Sequence, residues 1–160
     1  MGMPTDVGAI DLMLGIPEGS KEHWYKFLRA GFMDDESKDM KFPAQYMFKD
    51  VPDDIAEGTD PVAAVLDEMD HWGIAKAMVG ISFERSVSTR AIEEHPDRFF
   101  AAYEVNPNLG MKGVRHLVQA HEEFGIKAAT AFPAGMTPQV PINDKRFYPI
   151  YAKCIELDIP

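Results

Sequence analysis

The chain has 160 residues, 46% of them apolar and 11% aromatic, a globular composition with enough length for one core. Its formal net charge of −10 argues against nucleic acid or an anionic membrane as partner, because both call for clustered Lys and Arg. The single cysteine, Cys154, rules out a disulfide framework within the chain and fits a cytoplasmic setting, no apolar run approaches the ~20 residues of a membrane span, and the N-terminus carries no signal-peptide pattern.

Apolar strands and amphipathic helices alternate, which is the signature of βαβ units and a parallel sheet. The first strand is expected over residues 7–14, with the apolar run Ala9-Ile10-Asp11-Leu12-Met13-Leu14 at its centre. Residues 16–59 then break the rhythm. This segment carries seven aromatics, Trp24, Tyr25, Phe27, Phe32, Phe42, Tyr46 and Phe48, too many for a structureless loop inside a compact domain. It reads as an ordered insertion, a lid or dimerisation arm, with a short helix over about residues 21–30.

The next helix has the clearest signals. Asp60 can cap it and Pro61 suits its first turn. Val62, Val65, Leu66, Met69 and Trp72 form one apolar stripe at helical spacing, and Gly73 ends it. A second strand follows over 74–81, a helix over 86–94 that stops at His95-Pro96, and a third strand over 99–105 closed by Asn106-Pro107-Asn108. A helix over 111–124 turns Val114, Leu117, Val118 and Phe124 inward and ends at Gly125. The fourth strand is expected over 126–132. After a turn at Asn143-Asp144, Pro149 starts a last helix running to 157 that buries Cys154 on its apolar face. Asp158-Ile159-Pro160 falls where this rhythm places a fifth strand.

Four βα units alone are compatible with a small doubly wound sheet or with half of a barrel. Five segments, in order, favour the barrel. Met69-Asp70 before Gly73-Ile74-Ala75-Lys76-Ala77, His95-Pro96-Asp97-Arg98-Phe99, Asn106-Pro107, Phe124-Gly125-Ile126-Lys127-Ala128 and the run from Asn143-Asp144 through Arg146-Phe147 to Pro149-Ile150-Tyr151 together resemble the amidohydrolase-related family of the second type. That family comprises hydrolases and non-oxidative decarboxylases of small carboxylate or aromatic substrates. The resemblance implies an α/β fold, the N-terminal half of a (β/α)₈ TIM barrel with a long insertion after strand 1. Such barrels take about 250 residues, and four parallel strands do not close one. The expectation is therefore one partial domain over 1–160, belonging to a longer protein.

The resemblance also implies one divalent cation, held in part by an Asp-x-His-x-His first strand. Here Asp11 is present, but the two histidine positions hold Met13 and Gly15. Alternation puts Asp11, Met13 and Gly15 on one face. Met is a poor ligand for a hard or borderline divalent ion and Gly has no side chain. Zn or Mn is then expected only if a missing C-terminal half supplies ligands, and no residue of this segment is a metal ligand. The five histidines do not replace the lost pair. His23 is in the insertion, His71 ends a helix and His95 sits on the face opposite the strand C-termini. His116 and His121 stand about 140° apart around their helix.

Barrel enzymes place their chemistry at the C-terminal ends of strands. Those positions are residues 14–17, 82–85, 104–106 and 132–133. Within them Glu84 is the candidate general base and Arg85 the candidate partner of a substrate carboxylate. Asn106 is a second substrate-binding candidate, and Asp11 a candidate catalytic carboxylate on the first strand. The function expected is that of an amidohydrolase-related hydrolase or decarboxylase of a small organic acid, acting as a homodimer. The alternative is a non-catalytic barrel of the same family kept for binding or as a partner subunit. A self-contained four-stranded α/β binding domain is a third reading.

Overall fold

A computed structural model describes residues 7–17, 34–38 and 58–160. The expected insertion and its helix over 21–30 lie largely outside the described residues. Within them, Asp35–Lys38 forms one short helical turn, α1, capped by Asp34, whose Oδ1 accepts the Ser37 N–H at 2.7 Å.

Four parallel strands, β1 (Ala9–Leu14), β2 (Ile74–Ile81), β3 (Phe99–Glu104) and β4 (Ala128–Thr130), pair in the order β1-β2-β3-β4. Helices α2 (Pro61–His71), α3 (Val87–Glu94), α4 (Met111–Phe124) and α5 (Tyr148–Glu156) alternate with them. Sequential parallel pairing with a helix in each crossover is the first half of a (β/α)₈ barrel. β4 is shorter than the sequence suggests, but its neighbours extend the ladder. The Lys127 N–H donates to Ala101 O, and the Ala129 N–H donates to Pro160 O. Residues 158–160, where a fifth strand is expected, form no strand, and Pro160 O meets β4 through this one bond.

The helix starts follow their caps. Asp60 Oδ1 accepts the Val62 N–H and Ser86 Oγ accepts the Thr89 N–H, each satisfying an otherwise orphaned donor of the first turn. α4 ends on Gly125 in the left-handed region (φ 59°), a conformation that favours glycine. α5 begins at Tyr148, after a 3₁₀ turn over Lys145–Phe147. One expectation fails in α2. Trp72, expected in the buried stripe, is 66% exposed. It is the C-cap residue, already out of helical geometry (φ −95°, ψ 3°), so its ring swings outward and its Nε1–H donates to Glu68.

The core lies between the sheet and the helices in two clusters. One joins Val62 and Met69 of α2 to Ala77, Val79, Phe99 and Ile16. The other joins Val114, Leu117 and Ala120 of α4 to Ala101, Ile81, Phe147, Ile150 and Cys154. Ala77, Val79, Phe99 and Ala101 therefore mark the helix-packed face. The residues alternating with them, Lys76, Met78, Gly80, Phe100, Ala102 and Glu104, form the lumen face.

Two clamps tie the joints together. At the N-terminal ends of the strands, Arg98 donates from Nε to Ala75 O (3.0 Å) and from Nη2 to Ile74 O (3.1 Å) and Asp70 Oδ1 (2.7 Å). At the C-terminal ends, Arg146 grips both carboxylate oxygens of Asp144 (3.0 and 3.1 Å) and donates from Nη1 to Asn108 Oδ1 (2.9 Å). Asn108 in turn donates from Nδ2 to Pro138 O (2.8 Å), so the loops after β3 and β4 are held to each other.

Candidate functional site

The C-terminal rim of the sheet is built from the loops after β1, β2, β3 and β4. β1 departs from simple alternation. Asp11 pairs with Ala77 and Leu14 with Val79, so three steps on β1 match two on β2. This bulge changes which face each side chain takes. Asp11 stands beside Ala77 on the helix-packed side, whereas Leu14 and Ile16 return to that side after the bulge and join the core. Met13, 93% exposed, is opposite Leu14. The expected common face of Asp11, Met13 and Gly15 is therefore replaced by a split. The Asp11 carboxylate is used locally, Oδ1 accepting the Met13 N–H at 2.8 Å, a bond that stabilises the extra residue of the bulge.

The loop after β2 leans toward α4. Phe83 packs on Tyr103, His116 and Phe124, with ring centroids 5.5, 5.4 and 6.3 Å away. The same packing buries the Tyr103 phenol enough to push its pKa up. Ser82 Oγ donates to Glu84 O at 3.0 Å, which tightens the turn. Glu84 is exposed. Arg85 is exposed too and reaches Glu93 of α3 at 3.5 Å. A pair this open to water contributes little, so Arg85 can exchange Glu93 for a ligand carboxylate at small cost.

Asn106, half-buried at the end of β3, starts a 3₁₀ turn. Its Oδ1 accepts the Asn108 N–H at 3.0 Å. α4 comes down directly on this turn, since a Cβ added at Gly113 would stand 2.8 Å from Asn106 O. Glycine at 113 is what lets the helix seat there. Glu84 and Arg85 share one loop and Asn106 lies on the next, so these three are brought to one rim, and Asp11 is held apart on the other side of β1.

The register adds two residues to this rim. Glu104 and Thr130 are paired neighbours at the ends of β3 and β4. Phe99, Ala101 and Val105 are buried with the helices, so Glu104 alternates onto the lumen face and Thr130 shares it. In the sequence Glu104 stands out only as a strand-end position. Pairing register, which singles it out, is not written in the sequence.

A divalent cation of the kind the resemblance implies does not fit the donors here. After the bulge β1 offers a thioether at Met13 and no side chain at Gly15, and Asp11 is turned to its own strand. Among the described residues no group of three His, Cys, Asp or Glu side chains is placed to hold a metal ion. Also among them, no helix is long and apolar enough to cross a membrane.

One carboxylate beyond β4 is held tightly by its arginine. The Arg146 guanidinium, with help from the Arg146 N–H, lowers the Asp144 pKa to about 2. On the helix layer Arg90 binds Asp60 and holds its carboxyl below the usual range. Beyond β4 an apolar groove of about 280 Å³ runs between Ala129, Thr130, Phe147, Tyr151 and Ile155. Cys154 lines it as a thiol whose pKa burial raises, in keeping with the small buried hydrophobe expected.

No family profile matches the chain, and no curated protein does. Among solved structures it is similar to a 5-carboxyvanillate decarboxylase from Novosphingobium aromaticivorans, solved with bound manganese and 3-methoxy-4-hydroxy-5-nitrobenzoic acid. The identity is 18% and the TM-score 0.56, over 96% of this chain and 48% of that one. The chain thus spans about half the length of the structure it matches. At that identity the likeness establishes the fold, four consecutive βα units of a barrel.

Proposed function

We propose that this half-barrel belongs to an enzyme that decarboxylates or hydrolyses a small organic acid. The observation that carries the reading is the superposition of nearly the whole chain on half of a decarboxylase barrel. The five family-like segments, met in the same order along the chain, support it independently. In this reading substrate lies at the C-terminal rim. Arg85, released from Glu93, receives the substrate carboxylate in a bidentate contact. Glu84 on the same loop moves the proton, and Asn106 offers its amide N–H₂. Asp11 contributes by fixing the bulge that aims Met13 and Gly15. The first strand supplies no metal ligand, so none of these roles is routed through a cation. The working protein is a homodimer.

The test is turnover by the full natural protein. Aromatic carboxylates are assayed for CO₂ release, and the matching esters, lactones and amides for hydrolysis, with and without added Mn²⁺. Turnover of one class, reduced at least about ten-fold in R85M as expected for the loss of a charged hydrogen-bonding partner, supports the reading. Absence of turnover with both classes, alongside saturable binding of carboxylates, favours a second reading. That is a barrel kept for binding, which Met13 and Gly15 at the ligand positions of β1 support.

A further inference from the structure

The end of β1 sets two positions where a cation would need them and gives neither a suitable donor. The bulge between Asp11 and Leu14 returns Leu14 and Ile16 to the helix-packed core. Met13 and Gly15 alternate with them, so both stand on the lumen side, and both are exposed. Positions two apart on a strand lie roughly 6–7 Å from each other. Two imidazoles at that spacing can close on one ion, at about 2.0–2.1 Å per nitrogen. The phase that aims the two positions is held by Asp11, whose Oδ1 accepts the Met13 N–H at 2.8 Å.

What stands at those positions is a thioether, a poor donor for Mn²⁺ or Zn²⁺, and a residue with no side chain. The other rim groups do not make up for them. Asp144 is tied to Arg146, and Arg85, on the same loop as Glu84, adds a guanidinium that repels a divalent cation. Among the described residues no three His, Cys, Asp or Glu side chains converge. The decarboxylase barrel that this chain resembles was solved with bound manganese, so likeness of fold and donor chemistry part at this strand. We infer that β1 keeps the placement of a two-ligand cation seat and lacks only its donors. This protein carries no divalent cation at its rim, histidines at 13 and 15 would create a site for one, and Asp11 is the positioning residue of that pair. The absence of the cation is independent of whether the barrel turns over its ligand or only binds it.

The experiment measures metal on the full natural protein and its variants, by elemental analysis after dialysis and by calorimetric titration with Zn²⁺ and Mn²⁺. The wild type is expected to retain far less than one equivalent of either metal and to melt at the same temperature with and without EDTA. M13H with G15H is expected to bind Zn²⁺ at least about ten-fold more tightly than the wild type, and Zn²⁺ more tightly than Mn²⁺, the order that imidazole donors give. In that background D11A is expected to lose most of the gain. D11N, whose amide oxygen still accepts the N–H of residue 13, is expected to keep it. Melts without metal establish that each variant is folded, and M13H with G15D, a smaller donor at the second position, carries the test if G15H is not. One equivalent of either metal in the wild type, or a Tm that falls on chelation, overturns the absence of the cation. Zn²⁺ affinity no tighter than wild type in the folded double variant overturns the placement. A gain that survives D11A overturns the role of Asp11. None of these readouts depends on turnover, so the enzyme reading stands or falls separately.

Discussion

Arg98 offers a stringent test of how the fold is held. Its guanidinium reaches two carbonyl oxygens at the start of β2, those of Ile74 and Ala75, and the Asp70 carboxylate at the end of α2. The Arg98 side chain is 23% exposed and the Asp70 side chain 68%. The Asp70 contact, largely in water, is worth about 0–1 kcal/mol. Each bond from the charged donor to a backbone carbonyl is worth about 1.5 kcal/mol at the low end of its range, and the loss leaves carbonyl groups short of a partner. R98M, which keeps the apolar stem, is expected to destabilise by about 3 kcal/mol, and D70N by less than about 1 kcal/mol. For a chain of this size that corresponds to a fall in Tm of roughly 6–12 °C against a few degrees at most. R98K is expected in between, because a single compact ammonium replaces the planar fork whose Nε and Nη2 reach the three oxygens from two separate nitrogens. Urea and thermal unfolding of the three variants measure this. If R98M is no less stable than D70N, the carbonyl bonds contribute nothing and the clamp is only an exposed ion pair.

G113A is expected to cost about 1–3 kcal/mol, because its Cβ would meet Asn106 O at 2.8 Å, and amide spectra should show the 106–109 turn displaced. Leu117, fully buried, should cost about 2–5 kcal/mol on replacement by alanine, read from denaturant midpoints. The Asp144 pKa is lowered to about 2 by Arg146. Its stabilising contribution is thus complete above the unfolded carboxyl pKa of about 3.9 and is lost as pH falls toward about 2. D144N should show a shallower loss of Tm across that window; an unaltered profile would mean the Asp144–Arg146 pair does not couple to folding. Cys154, buried with a raised pKa, should react with iodoacetamide only after denaturation, whereas fast labelling of native protein would contradict its packing.

Much of this fold was legible in the chain because its signals are local. Asp60, Ser86 and Gly125 specify helix ends by their own hydrogen bonds and backbone preferences. Residues 74–81 match β2 residue for residue. Trp72 was misplaced because helical spacing continued past the residue where helical geometry stops. The family-like fragments looked separate in sequence, but two of them meet in space. Asp70 lies in one and Arg98 in another, and they are the two halves of one clamp. The rim was less legible. Glu84, Arg85 and Asn106 were found from strand ends alone, but the bulge that moves Asp11 off the face of Met13 depends on pairing with β2. So does the alignment of Glu104 with Thr130. Register is set between strands, and no single segment encodes it.

The bulge in β1 also has a meaning for how this strand tolerates change. Odd-numbered positions face the helices before it, at Ala9 and Asp11, and even-numbered positions after it, at Leu14 and Ile16. The strand therefore switches parity midway. A saturation scan should show the sensitive phase jump between residues 11 and 14. Deleting one residue there would remove the bulge and leave Ala9, Asp11, Leu14 and Ile16 on one side by simple alternation, whereas pairing the strand at full length without the bulge would bury Met13 and Gly15 in place of Leu14 and Ile16. The extra residue thus sets the phase of everything after it, in a stretch whose side chains, by exposure alone, look free to vary.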